Sequence, residues 1–149
     1  MESRYLYRGK RIDNGEWVEG NLIQNSDAEV GWEAIIIPTK NSNMFTKHIK
    51  HGYGDLGYEN WYRVDPSTIC QCTGLKDKNG KLILENDILS GHIDVEFPED
   101  ETRKRVVWHE NGWCTNEPGC DDYEKLDDFD SENFEVIGNV FDNPELLEV

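Results

Sequence analysis

Apolar and polar residues alternate along much of the chain, and helical periodicity is scarce. Period-two alternation and short apolar runs predict strands at Tyr5–Tyr7, Gly20–Ile23, Glu33–Ile37 (stopped by Pro38), Ile88–Ser90 and Phe134–Val140. A further strand is predicted at His92–Phe97, with Ile93, Val95 and Phe97 inward. Three Asn-Gly pairs sit between such runs, and each reads as a hairpin turn because both residues can adopt positive φ. Centred on these pairs, Asn14-Gly15 sets Ile12 opposite Trp17, and Asn79-Gly80 joins Thr73–Lys78 to Lys81–Leu84 with Lys78 beside Lys81. Asn111-Gly112 joins Arg105–Glu110 to Trp113–Thr115 and places Val106, Trp108 and Trp113 on one core face.

Two short helical segments are predicted. In Asp121–Asp130, Tyr123, Leu126 and Phe129 recur at every third position; in the tail Asn143–Leu147, Pro144 follows a capping Asn143. Residues 38–63 are rich in Gly, Asn and other polar residues and read as loops with at most one strand, around Met44–Ile49. Asp65-Pro66 marks a boundary between an N-terminal β segment with loops, 1–65, and a C-terminal β unit, 66–149. The latter runs as hairpin, strand pair, hairpin, acidic loop and closing strand, a pattern that fits a small SH3-like barrel. The expected fold is mainly β: an N-terminal β sub-domain, an SH3-like barrel and one short C-terminal helical turn.

Composition supports a folded chain. At 149 residues it can bury about 70% of its unfolded surface, and an aromatic content of 11% supplies large apolar areas from few side chains. No run approaches the roughly 18 apolar residues of a membrane span, and the first residues lack a basic-then-apolar leader, so an intracellular protein with reduced cysteines is expected. Charge is lopsided: residues 94–149 hold 18 acids and 4 bases, a net of −14 out of −16 for the chain. That field repels phosphate backbones and draws basic partners.

Chemistry is harder to find. Cys70 and Cys72 share a strand face and, with His48, His51, His92, His109, Cys114 and Cys120, are numerous enough for zinc, but neither cysteine spacing forms a metal knuckle. His48 and His51 lack the Glu of the hydrolytic His-Glu-x-x-His motif. The acidic segment offers a calcium loop starting at Asp128, yet Asn133 and Asn139 stand where the turn Gly and the bidentate Glu belong. No nucleophile elbow or phosphate-cradling loop is present. No cofactor or metal is therefore expected, and Asp121, Asp122, Asp127, Asp128 and Asp130 are left as candidate interaction residues.

Three stretches together carry a resemblance. They are Tyr7-Arg8-Gly9-Lys10-Arg11 through Glu16-Trp17-Val18-Glu19-Gly20; Val64-Asp65-Pro66-Ser67-Thr68-Ile69 with Thr73-Gly74-Leu75-Lys76-Asp77-Lys78-Asn79-Gly80-Lys81 and Glu85-Asn86-Asp87-Ile88; and Phe134-Glu135-Val136-Ile137-Gly138-Asn139-Val140 with Asp142-Asn143-Pro144-Glu145-Leu146-Leu147. Over nearly its whole length the chain resembles the YopX family of phage and prophage proteins. Asn86 replaces the family's Gly before Asp87, which argues against a turn open to Gly alone. Cys70 and Cys72 replace its Gly and aromatic residue, so a family-wide role cannot rest on these thiols. The resemblance implies an all-β fold, a phage or prophage origin and a bacterial cytoplasm, and brings no activity with it.

Four functions compete. The leading expectation is a non-catalytic module that binds a protein, with no membrane role and self-association left open. A variant makes the acidic C-terminal third a nucleic-acid mimic that occupies a basic cleft of a host protein. A metal-dependent hydrolase would use Asp65, Asp77, Asp87 or His92 in a cleft. Direct nucleic-acid binding, which the net charge disfavours, would use Arg4, Arg8, Lys10 and Arg11 with Tyr5, Tyr7 and Trp17.

Overall fold

The structure, a computed structural model, describes residues 3–25, 33–39, 44–48, 54–58, 60–94, 96–97 and 99–148, with backbone alone at 44–48 and 54–58. The chain divides into two units, Tyr5–Cys70 and Gln71–Val149 with Met1–Arg4. Among the described residues none of the sheets closes into a barrel. No helix of the described residues is long and apolar enough to cross a membrane.

In the unit Tyr5–Cys70, β1 (Tyr7–Lys10), β2 (Trp17–Gln24), β3 (Ala34–Pro38) and β6 (Tyr62–Arg63) form antiparallel neighbours in the order β6-β3-β2-β1. A separate ribbon pairs β4 (Met44–His48) with β5 (Gly54–Tyr58), so the region 38–63, read as loops with at most one strand, contains two more, β5 and β6. Ala34, Ile36 and Val64 are buried, with Tyr7, Val18, Leu22 and Ile69 packed on them. Gly20 lets β2 lie tight on β3, since a Cβ there would meet the Ile37 carbonyl oxygen at 2.0 Å.

The first hairpin differs from the expected one. Lys10, not Ile12, lies opposite Trp17, and Ile12 is 57% exposed in the turn. The loop is longer than two residues because Arg11 N donates to the Glu16 carbonyl (2.8 Å), leaving Gly15 at φ +73° as the left-handed residue. Local side chains stabilise this loop: Asn14 Oδ1 accepts from Glu16 N at 2.9 Å, and Arg11 grips Asp13 at 2.6 Å.

In the second unit, β7 (Cys70–Lys76) and β8 (Leu82–Leu84) make a ribbon. An open five-stranded antiparallel sheet is ordered β12-β11-β10-β9-β13, from β9 (Asp87–Gly91), β10 (Thr102–His109), β11 (Gly112–Asn116), β12 (Glu124–Lys125) and β13 (Phe134–Asn139). The SH3-like barrel expected for this region is not what forms. After the two-residue β12, the helix α1 (Asp128–Asn133) returns the chain to the opposite edge, beside β9. Ile83, Leu89, Val106, Leu126 and Phe134 are the core, with Leu75, Trp113 and Val136 against it. Fully burying a side chain such as Phe134 contributes about 1.5–3 kcal/mol.

The second Asn-Gly turn also closes differently. Asp77 N donates to the Lys81 carbonyl at 2.8 Å, so Lys78 lies in a three-residue loop rather than beside Lys81, with Gly80 at φ +82°. The third hairpin turns one residue earlier than expected: His109 pairs with Gly112 and Glu110 carries the positive φ, 56°. The shift preserves facing, so Trp108 lies opposite Trp113 on the side of Val106, their rings edge to face at 5.1 Å. Trp108 is nonetheless exposed at the tip of that face.

Two further expectations are corrected. Residues 92–94, 96 and 97 leave the sheet, and Ile93 and Phe97 are 53% and 50% exposed, because Asp94 Oδ1 accepts from Glu96 N (2.8 Å) and makes a turn; Val95 lies outside the described residues. The Asp121–Asp130 helix does not form. The helix starts only at Asp128, where Asp127 and Asp130 build a capping box, and of the three apolar residues only Leu126 is buried while Tyr123 and Phe129 are exposed. The tail makes the short helical turn Pro144–Leu147, but Asn143 bonds Asn139 N (3.3 Å) instead of capping it.

Candidate functional site

The side chains proposed for hydrolytic chemistry are occupied in holding backbone. Asp65 caps the turn Pro66–Thr68 by accepting from Ser67 N (3.0 Å). Asp77 is buried and accepts from Asn79 N, Lys81 N and Val136 N, each at 2.9 Å, which fastens the second hairpin to β13. Asp87, also buried, accepts from Leu84 N at 2.8 Å, and His92 Nδ1 lies 3.0 Å from the Asp100 carbonyl. Asn86 takes φ +67°, a left-handed conformation that Asn tolerates, and its Oδ1 accepts from Arg105 Nη2 at 2.9 Å. These family signature residues specify turns.

The other candidates are equally engaged. Arg8 and Lys10 lie 4.9 and 5.2 Å from the Trp17 ring, and Arg11 lies 4.0 Å from that of Tyr62, so the basic cluster of the first unit stacks on its own aromatics. Cys70 Sγ donates to the Thr68 carbonyl and Cys72 Sγ to that of Ile83. His51 and the His48 side chain lie outside the described residues. Among the described residues no three His, Cys, Asp or Glu side chains converge as a metal site.

One concave feature of the second unit gathers charge that has no such structural use. A cleft of about 450 Å³ is lined by Glu101, Arg103, Glu117, Cys120, Leu146 and Glu148. Its wall is ordered by Arg103, which donates to Glu101 Oε1 (2.6 Å) and to the Leu146 carbonyl (3.2 Å). The Arg103 bond, with a second from Ser90 Oγ at 2.7 Å, holds the Glu101 carboxyl below its ordinary value of 4.5. The rim Glu117-Pro118-Gly119-Cys120 is a turn closed by Cys120 N to the Glu117 carbonyl (3.1 Å), with Gly119 at φ +80°. Asn116 Nδ2 pins it by donating to the carbonyls of Cys120 (2.9 Å) and Asp122 (2.8 Å).

Glu117 and Cys120 also line a smaller cavity of about 70 Å³, which adds Lys104, Thr115, Asp122 and Glu124. Lys104 enters from the core face of β10, paired with buried Asp130 at 3.0 Å and with Glu124 at 3.7 Å.

The five aspartates selected from the sequence therefore divide. Asp121 and Asp128 are exposed, Asp122 lines the inner cavity, Asp127 caps α1 and Asp130 is buried against Lys104. Glu101, Arg103, Lys104, Thr115, Glu117 and Glu148 escape a sequence reading, and Cys120 is singled out there only as a candidate zinc ligand. Only Lys104 leaves a trace, as a cation at the same strand parity as Val106 and Trp108 and hence on the core face.

Fold and site define a mainly β protein of antiparallel sheets whose second unit carries an acid-lined cleft. Residues 6–148 match the YopX protein family, and the chain belongs to it. It is also similar to the crystal structure of protein EF1440 from Enterococcus faecalis, with a TM-score of 0.57 and 25% identity, covering 95% of this chain and 96% of that one. No curated protein matches it.

Proposed function

We propose that this protein is a non-catalytic interaction module whose second unit receives a basic partner protein in a bacterial cytoplasm. One observation carries the reading: Glu101, Glu117 and Glu148 line one cleft within a segment of net charge −14. Such a cleft concentrates field and steers cationic surfaces towards it. The hydrolase reading has less support, because Asp65, Asp77 and Asp87 accept backbone hydrogen bonds instead of converging. Nucleic-acid mimicry has less support too, since Asp127 and Asp130 are drawn into a helix cap and a buried ion pair.

The test is affinity capture from a bacterial lysate at low salt, with wild type beside a Glu101→Lys, Glu117→Lys, Glu148→Lys variant. A basic protein held by wild type, released by salt and lost with the variant is the expected result. Identical captured sets for the two baits would refute the reading.

A further inference from the structure

At the smaller cavity, which shares Glu117 and Cys120 with the acid-lined cleft, one buried polar atom lacks a partner. Thr115 is 1% exposed, and its Oγ1 makes no hydrogen bond. Its residue faces inward on β11, opposite Val106 on one side and Glu124 on the other, and lines the inner cavity. A buried hydroxyl left unsatisfied is destabilising by roughly 1–3 kcal/mol, so it points to an occupant.

Charge defines that occupant. Glu117, Asp122 and Glu124 line the cavity against a single cation, Lys104, whose ammonium is paired with Asp130 at 3.0 Å outside the lining and lies 3.7 Å from Glu124. Negative charge is left over, and a cation is favoured. No metal-type convergence of carboxylates is present among the described residues, so the fitting cation is one that donates hydrogen bonds. The acceptors come from three separate segments, β11, the pinned rim and β12. Three rotatable N–H donors of an ammonium suit that array, whereas a planar guanidinium presents a flat fork. At about 70 Å³ the cavity admits a side-chain tip, and the 450 Å³ cleft outside it has room for the stem and its neighbours.

We infer that the inner cavity is a receptor for a lysine side chain of the partner protein, its ammonium bound by Thr115 Oγ1 and the Glu117, Asp122 and Glu124 carboxylates. This rests on the basic-partner reading above and names the group recognised.

Fluorescence anisotropy with labelled octalysine and octaarginine peptides tests it, using the full chain, wild type and Thr115→Val. Octalysine is expected to bind about fivefold or more tighter than octaarginine, and the near-isosteric Thr115→Val to remove that preference while leaving octaarginine unchanged. Should Thr115→Val not fold, Glu117→Gln is expected to narrow the preference in the same direction. Equal binding of the peptides, or a preference that survives the substitution, overturns the lysine receptor and leaves the broader acidic interface standing. Failure of both peptides to bind overturns both.

Discussion

Lys104 Nζ and Asp130 Oδ1 lie 3.0 Å apart with side chains only 5% and 4% exposed, so a full ion pair is enclosed beneath the acidic surface. The ammonium also lies 4.5 Å from the Phe134 ring centroid, and Asp130 Oδ2 accepts from Asp127 N at 3.2 Å. One bridge thus ties β10 to the start of α1. Removing Asp130 leaves Lys104 buried with only the longer contact to exposed Glu124, 3.7 Å, which is close to the expensive case of a buried charge left alone. Asp130→Ala is expected to lower stability by about 3–5 kcal/mol in urea unfolding, whereas Lys104→Met with Asp130→Leu recovers most of the loss. Equal losses in the single and double variants would show that the pair is not the source.

Asp77 is the second prediction. Its carboxylate receives three backbone N–H groups, one of them from Val136 in β13, so it joins elements 59 residues apart. Hydrogen bonds to a charged acceptor contribute about 1.5–3 kcal/mol each, not additively. Asp77→Ala is expected to lose roughly 3 kcal/mol, measured by thermal unfolding. Amide exchange at Lys81 and Val136 should accelerate together.

At Asn86 the backbone rather than the side chain dominates. Asn86→Ala places a Cβ-bearing residue without local hydrogen bonding at φ +67° and is expected to be destabilising by about 2–3 kcal/mol. Asn86→Gly relieves the strain and forfeits the bonds to Arg105, about 1 kcal/mol. A ranking with Gly worse than Ala would contradict this.

Glu101 makes the fold pH-sensitive. Its carboxyl is held below 4.5 chiefly by the Arg103 hydrogen bond and then by that of Ser90. A carboxyl with a depressed folded-state value contributes stability that is whole above 4.5 and is lost as pH falls through that lower value. Urea midpoints from pH 7 to 3 should therefore fall less for Glu101→Gln than for wild type, the two curves converging on the acid side.

Much of the fold is legible in the sequence. Alternation locates β2, β3, β9 and β13 because each has at least one face against a core. It fails at Ile93 and Phe97, where the Asp94 side chain offers the backbone a turn. The Asn-Gly pairs locate all three hairpins yet misplace each closing pair: in the first two Asp13, Asn14 and Asp77 bond into the loops and set their lengths, and in the third Glu110 takes the positive φ and the turn comes one residue early. The cleft is far less legible. Thr115 looks unexceptional until β11 and β10 pair, Lys104 shows only its core-face parity, and Glu148 joins Glu101 only through the folded tail.

The rim turn at Glu117–Cys120 has one more consequence. With Gly119 in its turn conformation and Asn116 clamping two carbonyls, the acidic lip needs no ordering when something docks on it. For the basic partner proposed above, the entropy of association would then fall on the incoming molecule, and encounter rather than rearrangement would limit the rate. Added salt would slow arrival and loosen what has docked, since the rim carboxylates are open to screening.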